Sequence, residues 1–261
     1  MTLSRRAVVL AAAALATARA RRAGAAGDRP VIAAASVLQF ALPELADAFA
    51  AGTGQAVRLS FGSSGNLSRQ IREGAPFQLF LSADEEFIAA LHADGVTPDA
   101  GTVYAEGQLA LIAPRGGLLT PDAAMDDLAR LLDAGRIARF AIANPEHAPY
   151  GMRAREALET RGLWEAIRPA LVLGENVSQA AQFALSGNAE GGLVALSLAL
   201  APQVAARGVS APVPRDWHLP LRQRMALLPG ARDTARAFHA YLLSPPGQAI
   251  LSRHGFGLPG A

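Results

Sequence analysis

The feature that most constrains this chain is a repeated pattern: an apolar strand, a short turn of small or polar residues, then a helix. Its clearest instance is residues 57–76, VRLSFGSSGNLSRQIREGAP. Val57, Leu59 and Phe61 alternate with Arg58 and Ser60, which is the period of a strand. Leu67 and Ile71 lie four apart on one helical face, and Gly74 followed by Pro76 stops the helix. Between them sits Gly62-Ser63-Ser64-Gly65. A turn of this kind directs unpaired N–H groups off a helix N-terminus, where about half a positive charge makes a ready anion site. Serine here also has a plainer use, since Ser63 or Ser64 can simply cap the helix.

The arrangement recurs. Residues 30–35 (PVIAAA) read as a buried strand ended by Ser36. Pro43 is tolerated only in a first helical turn, so the next helix begins shortly before it and residues 36–39 form an entry loop. A third instance runs from a strand at 140–143 through NPEHAPYG (144–151), with Tyr150 at the helix entry. The fourth is LVLGENVS (171–178), with Val177 at the entry. Further apolar runs at 77–82, 107–114 and 191–196 read as strands, residues 222–228 alternate around Met225 and Leu227, and 234–243 and 246–253 read as closing helices. This order predicts an α/β fold with mainly parallel sheets. Ligands in such folds sit beyond the carboxyl ends of strands. Ser36 and Ser64 fall in the first half, Tyr150 and Val177 in the second, so a ligand gripped by all four lies in a cleft between two lobes. The strands at 107–114 and near 222 are the candidate hinge crossings. They divide the chain into 28–110 plus 222–261 as one lobe and 111–221 as the other.

Residues 1–27 read as a signal peptide rather than as part of the fold. Arg5-Arg6 form a positive start, residues 7–16 an apolar run too short to span a bilayer, and Ala18-Arg19-Ala20 or Ala23-Gly24-Ala25 a cleavage site. The alternative, a retained anchor, is opposed by the shortness of the run. The arginine pair also fits twin-arginine export. The expected location is therefore the periplasm. Removing this segment changes the charge argument. It holds five of the 24 basic residues and no acid, which leaves 19 basic against 22 acidic residues and a net charge of −3. The sequence pI of 9.6 thus describes the precursor and gives no support for nucleic-acid binding.

The chain has no cysteine, which excludes disulfides, thiol catalysis and cysteine-ligated metal. Its five histidines are scattered, and Glu146-His147 is a lone His–acid pair without the ligand spacing of a metal site. There is no lysine, and none of the four turns has arginine as its focal residue. Neutral donors can still hold a dehydrated anion, because hydrogen bonds to charged groups are worth about 1.5–3 kcal/mol each. A site made of donors alone also discriminates. It rejects an anion that keeps a proton, as phosphate partly does at neutral pH, and accepts molybdate, tungstate or sulfate. Selection among those three falls to cavity size.

AAAS at 33–36, SFGSSGNLSRQI at 60–71, GAPFQLFLSAD at 74–84, NPEHAPYG at 144–151 and GENV at 174–177 together resemble the periplasmic molybdate-binding proteins of ABC importers. The resemblance spans essentially the whole mature chain, in order. It implies a two-lobed periplasmic-binding-protein fold with crossing hinge strands and an oxyanion in the cleft. The function it implies is capture of molybdate or tungstate for a membrane permease, with no catalysis, no cofactor and a monomeric protein. Carried over residue by residue, it makes Ser36 and Ser64 hydroxyl ligands and Val177 an amide donor. At the position of Tyr150 some members have alanine and others tyrosine; the amide donates, and the hydroxyl is a possible added donor. Molybdenum would then be held only as molybdate, through Ser36, Ser64, Tyr150 and Val177. Two family donors are missing: Ala195 stands where some members have tyrosine, and Val37 where others have asparagine.

Rival readings are a binding protein for sulfate or another small anion and, more remotely, a serine hydrolase. The hydrolase elbow G-x-S-x-G fails here, because Asn66 replaces the last glycine; a histidine base is left open by the sequence. A ligand-sensing regulator would need a helix-turn-helix and no export signal, the reverse of what the chain shows.

Overall fold

The structure is a computed structural model that describes residues 29–187 and 189–259. The expected signal peptide lies outside these residues.

Two five-stranded sheets organise the chain. The first has the order β2-β1-β3-β10-β4, built from β1 (Val31–Ala35), β2 (Arg58–Gly62), β3 (Phe77–Ser82), β4 (Thr102–Gly107) and β10 (Leu221–Leu227). The second has the order β7-β6-β8-β5-β9, built from β5 (Leu109–Pro114), β6 (Phe140–Ala143), β7 (Leu171–Gly174), β8 (Gly191–Ala195) and β9 (Gly208–Pro212). In each sheet two pairings are parallel and two antiparallel. The parallel part is what alternation of strand and helix demands. The antiparallel part is made by β10 and β5, each pairing with a neighbour on both sides just after the chain has passed from the other sheet.

The expected strand at 107–114 is present from Leu109 on as β5, while Gly107 is the last residue of β4 in the other sheet. The break falls at Gln108, whose carbonyl accepts from Leu196 N–H at 2.8 Å. The return passes through a short turn at Arg215–Trp217 before β10. The mixed sheets, coupled through these two passages, are the two-lobed architecture the turns imply.

Helices cover both sheets. In α1 (Ala41–Thr53), Leu42, Leu45 and Phe49 share one buried face, and Phe49 meets Phe238 of α7 (Asp233–Leu243) edge-on at 5.2 Å. The other long helices are α2 (Ser64–Arg72), α3 (Glu85–Ala93), α4 (Asp126–Asp133), α5 (Pro149–Thr160), α6 (Val177–Ala184) and α8 (Pro245–Arg253). The entry segment after β1 is a 3-10 turn, Ser36–Leu38, rather than an open loop.

Two histidines set an acid dependence. Burial holds His218 and His239 below the ordinary histidine value, the first against the opposing pull of the Leu219 carbonyl and Glu156, the second against Asp99. Both stay neutral in the fold below about pH 6.5, where they take up protons in the unfolded chain. The unfolded state then binds more protons, so stability falls as pH drops through that window. Thermal melts of the ligand-free protein between pH 7.5 and 5.5 should show this fall, and it should be shallower in His218→Gln/His239→Gln.

Candidate functional site

The four residues singled out from the sequence converge. Ser36, Ser64, Tyr150 and Val177 line one cleft cavity, with Val37, Ser63, Ala83, Ala148 and Pro149 among its other walls, and it holds about 190 Å³ of free space including its mouth. Ser36 and Ser64 follow the carboxyl ends of β1 and β2, and Tyr150 and Val177 those of β6 and β7. All four are buried.

Capping explains why the donors are free. Ser63 is the N-cap of α2 and accepts from Asn66 N–H, so the neighbouring Ser64 is released from that duty. Asn176 caps α6 and accepts from the N–H groups of Ser178 and Gln179, which passes over Val177. At α5 no side chain caps the helix, and Pro149 at its first position has no N–H. The N–H groups of Ser64, Tyr150 and Val177 accordingly make no protein hydrogen bond among the described residues. They are orphan first-turn donors of three helices whose first residues line one cavity.

The hydroxyls are prepared in the same sense. Ser64 Oγ accepts from Ala83 N–H at 2.9 Å, and Ser36 Oγ lies 3.5 Å from Ser178 N. With an N–H on its acceptor side, each hydroxyl is left to donate its own proton. Among the described residues, no carboxylate lines the cavity. Its polar character is that of donors, which suits a fully deprotonated anion.

The walls come from both lobes, which are already in contact. Gly65 N–H donates to His147 O at 2.9 Å, and Ser178 Oγ donates to Ser36 O at 2.8 Å. Ser63 Oγ and His147 Nδ1 share a hydrogen bond of 3.0 Å, and Asn66 Nδ2 donates to Glu175 at 3.1 Å. Arg153 of α5 reaches Asp84, the N-cap of α3, at 3.4 Å, with both side chains buried. Burial pushes the Asp84 carboxyl up, against the pull of Glu86 N–H and Arg153. The lone pair Glu146-His147 thus has a job the sequence did not show: His147 joins the lobes through its ring and its carbonyl. The histidine also stands on Ser63, whereas Ser64, centre of the failed hydrolase elbow, has Ala83 N–H on its Oγ.

Tyr150 divides in two. Its amide has no hydrogen-bond partner among the described residues, but its hydroxyl accepts from Gln223 Nε2 of β10 at 3.2 Å. Burial raises the hydroxyl well above the ordinary tyrosine value, so it stays protonated. Ala195, at the end of β8, is fully buried and is not among the cavity walls.

Two lobes, each built on a mixed sheet, with helix N-termini from both at a small cleft, define a solute-binding protein of the periplasmic-binding class. The model for bacterial extracellular solute-binding proteins matches residues 30–257. The chain is 36% identical to the molybdate-binding protein ModA of Azotobacter vinelandii, over 87% of this chain and 89% of that one. It is 33% identical to ModA of Escherichia coli (strain K12), over 95% and 96%. The solved periplasmic molybdate-binding protein of Azotobacter vinelandii superposes with a TM-score of 0.77 at 30% identity, covering 88% of this chain and all of that one. The chain belongs to this family of solute-binding proteins.

Proposed function

We propose that this chain captures molybdate or tungstate in the cleft and delivers it to the permease of an ABC importer. The observation that carries the reading is the convergence of three orphan helix N–H groups and two donor-poised serine hydroxyls on one cavity whose walls hold no carboxylate. Its relatives are named for binding molybdate. On this reading Ser36, Ser64, Tyr150 and Val177 are the ligands, the last two through their amides. The lobes are about 28–110 with 222–261, and 111–221, and residues 1–27 direct export to the periplasm, with Arg5-Arg6 fitting the twin-arginine route. Binding is the whole function; the protein works as a monomer and needs no cofactor.

Calorimetric titration of the mature protein with molybdate, tungstate, sulfate and phosphate tests this. Molybdate and tungstate should saturate one site with high affinity, and sulfate should bind more weakly. Phosphate should not bind, since its remaining proton would meet no acceptor. Tight binding of sulfate with none of molybdate would sink the assignment in favour of a sulfate carrier.

A further inference from the structure

The Tyr150 hydroxyl sits where it has no business as an anion ligand. Its neighbours are Gln223 of β10 and Gly107 at the end of β4, and neither lines the anion cavity. These two strands pair with each other, Leu221 opposite Gly107, where the chain passes between lobes. Gln223 is itself fixed: its Oε1 accepts from Tyr104 O–H at 2.9 Å, and Gln223 and Tyr104 are both completely buried. Gly107 is required by the fit. A Cβ there would collide with the Tyr150 hydroxyl oxygen and would lie 2.9 Å from Gln223 Nε2 and 3.1 Å from Leu221 Cβ.

We infer that Tyr150 is a positioning residue as well as an amide ligand: its hydroxyl, seated between Gly107 and Gln223 on the hinge strands, fixes the N-terminus of α5 against the other lobe, so that the Tyr150 N–H meets the anion. Resting on the functional reading above, this deepens it by naming Gln223, Tyr104 and Gly107 as determinants of affinity that never touch the ligand. α5 belongs to one lobe and its seat to the other. The hydroxyl thus makes the position of a ligand amide depend on how the lobes are set. A ring without its oxygen would leave the amide present but loosely aimed.

The test is a set of variants titrated with molybdate, with dissociation rates and ligand-free melting temperatures measured alongside. Tyr150→Phe should weaken binding about three- to tenfold, the worth of one ordinary hydrogen bond, through faster dissociation. Gln223→Met should do the same, and the double variant should be no worse than either alone, because both break one contact. Gly107→Ala should cost about tenfold or more by overpacking. Adding Tyr150→Phe to Gly107→Ala removes the colliding oxygen and should restore binding to near the Tyr150→Phe level. A direct hydroxyl–anion contact predicts the opposite: Gln223→Met without effect, and the Gly107→Ala/Tyr150→Phe pair worse than either single change. Either result overturns the inference while wild-type binding stands. If wild-type protein binds none of the oxyanions, the functional reading fails and this inference fails with it.

Discussion

Gly65→Ala is expected to weaken oxyanion binding strongly while leaving the ligand-free protein as stable as before, or more so. Gly65 is the second residue of α2, and its N–H donates to His147 O across the cleft. A Cβ at this position would lie 2.6 Å from His147 O, 2.9 Å from His147 Cβ and 3.0 Å from His147 Cα. Two of these are backbone atoms of the opposite lobe, so no side-chain rotation relieves the overlap. The lobes would have to stand apart, and on the proposed reading the donors of α5 and α6 would move away from those of Ser36 and Ser64. Overpacking of this kind costs about 1–3 kcal/mol, or roughly five- to more than a hundredfold in affinity. Within α2 the same change is favourable, since alanine is preferred to glycine in a helix by up to about 1 kcal/mol. The two signs are opposite, which makes the experiment decisive. Titration with molybdate should show the loss, and a thermal melt without ligand should show no fall in midpoint. Unchanged affinity would mean that the lobes do not need this approach to hold their ligand.

How much of this was legible in the sequence follows from what each signal depends on. The four strand-to-helix turns were legible because a strand followed by a short turn and a helix is a local pattern, and Ser36, Ser64, Tyr150 and Val177 do share one cavity. The division of labour at 63–64 was not, because two adjacent serines are equally good caps until the backbone is seen; Ser63 has the extended conformation of an N-cap and Ser64 is helical. β4 went unread because its sequence, TVYAEG, holds no continuous apolar run, and β9 because it is short and ends at Pro212. The run at 107–114 looked like one strand since Leu109, Leu111 and Ile112 are buried whichever sheet they join. Its break at Gln108 depends on the pairing of β5 with β8 and β9, a non-local fact. The seat of the Tyr150 hydroxyl is likewise invisible locally: Gly107, Tyr104 and Gln223 are far from it in sequence, and none has a spacing that announces it. His147 escaped for the same reason, as its partners Ser63 and Gly65 belong to the other lobe.

Removing the serine hydroxyls separates binding from folding. Either Ser36→Ala or Ser64→Ala should leave a bound oxyanion short of one charge-assisted hydrogen bond, a loss of about 1.5–3 kcal/mol, or roughly ten- to a hundredfold in affinity. Their effects on the ligand-free protein should differ. Ser64 Oγ also satisfies the buried N–H of Ala83. Alanine there leaves that donor unpaired, at a cost of about 1–3 kcal/mol in stability. This exceeds the roughly 1 kcal/mol expected had Ser64 been only a cap. Ser36 Oγ has a lighter duty: Ser178 N–H, which it meets at 3.5 Å, is already accepted by Asn176 Oδ1 at 3.1 Å. The contact of Ser178 Oγ with the Ser36 carbonyl survives any substitution, because it uses the backbone. Ser36→Ala should therefore weaken molybdate binding with little change in melting temperature, and Ser64→Ala should lower both. If both variants bind molybdate and tungstate as tightly as wild type, the hydroxyls are not ligands and the anion is held elsewhere. If Ser36→Ala instead unfolds the protein, its role is structural, and the cleft loses one of its proposed donors.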